Sequence, residues 1–96
     1  MDQQESIERL SARISGRVQG VGYRHFTRMR AQELDLDGWV RNERDESVSL
    51  VAEGPRYRLE ALIQQLRSGP PGARVADVSI QWSKATGEFT GFTVRH

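Results

Sequence analysis

Residues 16 to 26, Gly16-Arg17-Val18-Gln19-Gly20-Val21-Gly22-Tyr23-Arg24-His25-Phe26, constrain the fold of this chain more than any other stretch. Before them, Leu10, Ala12, Ile14, Gly16 and Val18 alternate with Ser11, Arg13, Ser15 and Arg17, the pattern of a strand covered on one face. After them, Tyr23, Phe26, Thr27, Ala31 and Leu34 fall along one stripe of a helix running from about Tyr23 to about Asp35. Arg30 intrudes on that stripe, so its aliphatic stem has to follow the core edge while the guanidinium reaches water. Three glycines within seven positions join the two elements, and the stretch reads as strand, tight loop and helix start. Such a loop suits an anion. Its N–H groups can converge on one oxygen-rich group, the helix N-terminus adds partial positive charge, and Arg24 supplies a fork of donors.

Further along, Gly38-Trp39-Val40-Arg41-Asn42 reads as a short second strand. Ser47 to Glu53 reads as a third, with Val48, Leu50 and Ala52 inward and a four-residue hairpin, Glu43 to Glu46, between the two. Gly54-Pro55 opens a second helix, since proline is tolerated in a first turn. Leu59, Leu62, Ile63 and Leu66 give that helix an apolar face at i, i+3, i+4 and i+7, and Gly69-Pro70-Pro71-Gly72 stops it. Ala76, Val78, Ile80 and Trp82 alternate with Asp77, Ser79 and Gln81 as a fourth strand, and Phe92 to Arg95 is a short terminal one.

The order β-α-β-β-α-β plus a short C-terminal strand is the ferredoxin-like split βαβ sandwich. It is an α+β fold whose antiparallel-rich sheet carries two helices on one face. The strand alternation agrees, because a sheet covered on both faces reads as continuous apolar runs. In that arrangement the first two strands are parallel with the third between them, so the glycine loop and Asn42 share one sheet edge, roughly 10 Å apart.

Ninety-six residues hold one domain and one core, with residues 1–9 reading as a polar leader and 10–96 as the domain. Fourteen Lys and Arg against thirteen Asp and Glu leave a net charge of +1, which steers the chain neither to nucleic acid nor to an acidic membrane. The absence of cysteine excludes disulfide and thiolate chemistry, and with only His25 and His96 a zinc site would need carboxylates, so neither metal nor cofactor is expected. No apolar run is long enough to span a bilayer or serve as a signal segment, which favours a cytoplasmic location. A monomer is the default for so small a chain.

Gly16 to Arg24 followed by Gly38-Trp39-Val40-Arg41-Asn42, then Val48 and Gly54, resembles both signature segments of the acylphosphatase family. The resemblance implies a small hydrolase that cleaves the carboxyl-phosphate anhydride of acyl phosphates to a carboxylate and inorganic phosphate without metal or cofactor. It further implies that Arg24 binds the phosphate, that Asn42 orients the attacking water, and that the backbone N–H groups of Gln19, Gly20, Val21, Gly22, Tyr23 and Arg24 cradle the phosphate. Glu46 departs from the family pattern, which usually has glycine there, so positive φ or a different turn is expected at that residue.

Each feature has a plainer reading when taken alone. The glycine loop is then an ordinary strand-to-helix turn, Arg24 a solvated charge, Asn42 a turn residue and His25 a solvated histidine. The joint placement of Arg24 and Asn42 at one sheet edge favours the site. An RNA-binding domain of the same fold needs aromatic platforms on the open strands; here Arg13, Ser15, Arg17, Ser47, Ser49, Val51 and Glu53 occupy those positions. A non-catalytic anion-sensing or regulatory domain is the alternative.

Overall fold

The computed structural model describes residues 6–96. Its elements are β1 (Ile7–Arg17), α1 (Tyr23–Glu33), β2 (Asp37–Asn42), β3 (Val48–Pro55), α2 (Arg56–Ser68), β4 (Arg74–Lys84) and β5 (Phe92–Arg95). The strands form one sheet in the order β4-β1-β3-β2-β5. Every neighbouring pair is antiparallel except β2 with β5. The fold is therefore the ferredoxin-like α+β sandwich, and β3 separates the parallel strands β1 and β2 as the element order requires.

Alternation along the strands builds the core. Leu10, Ala12 and Ile14 of β1, Val40 of β2 and Val48, Leu50 and Ala52 of β3 are buried against Leu59, Leu62 and Leu66 of α2 and Ala31 of α1. α1 ends two residues before Asp35, because Asp35 takes a left-handed conformation at φ 57 and turns Leu36 back into the core. Its N–H bonds the Gln32 carbonyl and that of Leu36 bonds Ala31, closing the helix end. Pro55 sits at the N-cap of α2, one residue ahead of the first turn.

Two further differences from the sequence reading have identifiable reasons. β1 begins at Ile7, not Leu10, because residues 7–9 pair with β3 and are held by polar contacts that hydrophobic patterning does not register: Arg9 lies opposite Glu53 and bonds it, and Glu8 accepts a bond from Arg56 at the start of α2. Residues 1–5 of the polar leader lie outside the described residues. On β4, Ala76 is exposed while Val75 is half-buried. A register shift between Ser15 and Gly16 leaves Ala76 without a partner on β1 and reverses the phase of β4 beyond it.

The segment between β4 and β5 is held across the open face of the sheet. The buried Glu53 carboxylate accepts the Arg9 Nε–H at 2.7 Å and the N–H groups of Thr86 and Gly87 at 2.9 and 3.0 Å. Burial pushes this carboxyl up, but these donors outweigh it and hold it below the usual carboxylate range. Gly91 N–H donates to Asp37 Oδ1 at 2.8 Å, and Gly38 N–H to the Gly91 carbonyl at 2.9 Å, which sets β5 beside β2 and brings His96 to the edge where β2 ends.

Glu46 has φ 73, the left-handed conformation that its turn position suggested. Glycine takes this conformation without a Cβ penalty, though it also gives the unfolded chain more freedom. Glu46→Gly is expected to stabilise the protein by about 0.4–1 kcal/mol or more. Thermal melting checks this; an unchanged or lower midpoint would contradict it.

Candidate active site

The loop between β1 and α1 is anchored in the core at both ends. Val18 and Tyr23 are almost completely buried, and the Tyr23 hydroxyl donates to the Leu66 carbonyl at 2.7 Å. Burial pushes this phenol well up, so it stays a neutral donor. Between the anchors, Gly20 and Gly22 have φ 77 and 78. A Cβ at either would meet nothing within 4 Å, so conformation, not space, is what calls for glycine there.

The loop delivers donors. The first N–H groups of a helix have no intrahelical acceptor, and the N-cap Gly22 has no side chain to satisfy them. Among the described residues, no backbone bond outside helices and strands uses the N–H of residues 19–24. Of these residues, Gly20, Gly22 and Arg24 border a cavity of about 320 Å³ that is walled by Val18 and Val94 and has His25, Arg28, Asn42 and His96 around it. The structure thus brings together Arg24, Asn42 and two glycines of the cradle, while Gln19, Val21 and Tyr23 are not among the residues that line the cavity.

The charge of this cavity is one-sided. Arg24 Nη1 lies 3.3 Å from His96 Nδ1, and Arg28 Nη2 lies 3.3 Å from His25 Nδ1. Among the described residues no acidic side chain lines the cavity. Like charges at i, i+4 on a helix are unfavourable by about 0.2–0.5 kcal/mol, so an anion bound at either guanidinium would relieve that repulsion. Asn42 enters from the end of β2 with its Oδ1 buried and, among the described residues, without a hydrogen-bond partner. An orphan acceptor of this kind is unfavourable by about 1–3 kcal/mol unless something binds it.

A second hollow, of about 470 Å³, lies on the open sheet face beside Arg13, Trp39 and Arg41. Its cations are already engaged: Arg13 with Asp45 at 3.3 Å and Arg41 with Glu43 at 2.8 Å. Glu43 also accepts a bond from Ser49, and Ser49 and Arg41 together hold its carboxyl below the usual range. Among the described residues no cluster of His, Cys, Asp or Glu is disposed to hold a metal ion, and no helix is long and apolar enough to cross a membrane.

Sequence reasoning missed the Gln19 side chain. Its Nε2 donates to the Glu43 and Ser47 carbonyls, both at 2.9 Å, and so ties the glycine loop to the hairpin that follows Asn42. No residue pattern reveals such a tie, because both partners are backbone oxygens of a distant segment. Those carbonyls also accept N–H groups within the hairpin, so losing the amide leaves neither orphaned. Gln19→Ala is expected to lower stability by about 1 kcal/mol, or about 4–8 °C in Tm for a domain of this size. An unchanged midpoint in denaturant and heat would show that the tie carries no energy.

Comparison with known proteins follows the same line. The acylphosphatase family model matches residues 10–94. An acylphosphatase of Salinibacter ruber is 59% identical over 88 residues, covering 92% of this chain and 93% of its own. One from Syntrophotalea carbinolica is 48% identical over 87 residues, covering 91% of this chain and 95% of its own. The crystal structure of acylphosphatase from Bacillus subtilis superposes with a TM-score of 0.90 at 34% identity, over 93% of this chain and 99% of that one.

Proposed function

Because the chain belongs to the acylphosphatase family, we propose that it hydrolyses small acyl phosphates at the cavity between the glycine loop and the end of β2, with Arg24 and Asn42 as its catalytic residues. The phosphate oxygens lie against the N–H groups of Gln19 to Arg24 and the Arg24 guanidinium, whose positive charge and partial charge suit a dianion. Asn42 Oδ1 accepts a hydrogen bond from the water that attacks phosphorus.

As the water oxygen bonds to phosphorus, the bond from phosphorus to the acyl oxygen breaks and the carboxylate leaves with the electron pair. The water proton passes to a phosphate oxygen. Asn42 cannot take it, since a carboxamide only donates and accepts hydrogen bonds at neutral pH. Phosphoryl transfer asks chiefly for positioning and charge stabilisation, and a guanidinium with aimed N–H groups supplies both without a metal step.

The observation that carries this reading is the meeting, around one cavity, of loop N–H groups, Arg24 and the buried Asn42 Oδ1, with neither a partner for that oxygen nor an acidic lining residue among the described residues. Phosphate release from benzoyl phosphate in the presence of chelator tests it. Turnover is expected; phosphate binding with no turnover would instead establish a non-catalytic anion-sensing domain.

A further inference from the structure

The phosphate end of the substrate does not use all the positive charge of this cavity. Arg24, the partial charge of the α1 N-terminus and the loop N–H groups suffice for one phosphate. Arg28 stands one helical turn beyond Arg24, on the same face of α1, and lines the same cavity. Among the described residues it meets no carboxylate, and its side-chain partner is the His25 imidazole at 3.3 Å. Through that single contact His25 holds the guanidinium beside the cavity while most of its five N–H donors remain free.

We infer that Arg28, steadied by His25, forms a second anion subsite that selects acyl phosphates carrying another negative group on the acyl part. The inference rests on the acyl phosphate reading above and adds to it the charge of the acyl end. Side chains at i and i+4 start about 5–6 Å apart, so the second anionic group belongs a few bonds from the anhydride, as in a short dicarboxylic monoacyl phosphate. A terminal carboxylate and a terminal phosphonate offer the same chemistry to a guanidinium. A neutral aromatic acyl group gains nothing from Arg28.

The test compares kcat/KM for benzoyl phosphate, succinyl phosphate and phosphonopropanoyl phosphate. The parent protein is expected to favour at least one of the two anionic substrates over benzoyl phosphate, and the larger preference identifies the group recognised. In Arg28→Gln that preference should fall about tenfold, the low end for a charge-assisted hydrogen bond at an accessible site. Arg28→Lys should restore part of it, and Arg28→Glu should lower it further. A preference that survives Arg28→Gln, or is missing from a parent that turns over benzoyl phosphate, overturns the second subsite and leaves the hydrolase reading intact. If the parent hydrolyses none of the three, both readings fall together.

Discussion

Asn42→Ala is expected to lower kcat for benzoyl phosphate by about 10²–10³, the usual effect of removing one aligned hydrogen-bonding group from such a site. The fold should survive, because the Oδ1 that is lost has no partner among the described residues and relieves the protein of a buried orphan. KM should change little, since the proposed phosphate contacts lie on the loop and α1. An interaction made with the attacking water acts in the transition state and so lowers kcat and kcat/KM together. Steady-state kinetics with a melting curve check both halves. Near-normal kcat would remove Asn42 from the mechanism, and a change confined to KM would make it a binding group only.

Arg24→Ala is expected to reduce turnover by a similar factor, about 10²–10³, and to raise KM as well. In the proposed site the guanidinium would touch the phosphate in the ground state and follow its charge into the transition state, so both constants should report its loss. Inhibition by inorganic phosphate should weaken in parallel, which separates this variant from Asn42→Ala. Arg24→Lys should recover little, because an ammonium is a point charge without the planar fork that engages two oxygens at once. The Arg24 partner in the fold is the exposed contact to His96, so Tm should hold. If Arg24→Ala retains inhibition by phosphate and near-normal turnover, the loop N–H groups alone hold the anion.

Much of this was legible in the residues because the two periodicities are clean. Leu10, Ala12 and Ile14 report a half-covered strand, and Leu59, Leu62, Ile63 and Leu66 report a helix face; all of these are buried where the pattern puts them. From the element order alone, β3 had to separate β1 from β2, and that fact carries Asn42 to the glycine loop. What stayed hidden involves polar groups acting over long sequence distances. Ile7 to Arg9 extend β1 because Glu53 holds Arg9, and Glu53 in turn is shared with Thr86 and Gly87. Gln19 reaches two backbone carbonyls, and His96 meets Arg24 only after β5 has been laid beside β2. Ala76 shows the same limit in apolar form, since its alternation is sound until a register shift elsewhere changes which residue faces inward.

The central claim is that water, oriented at the Asn42 end of the cavity, attacks the phosphorus of an acyl phosphate held by the glycine loop and Arg24. Single-turnover hydrolysis of benzoyl phosphate in water enriched in heavy oxygen, with chelator present, tests it most directly. The predicted result is heavy oxygen in the inorganic phosphate and none in the benzoate; heavy oxygen in the benzoate would place the attack on the acyl carbon and contradict the account.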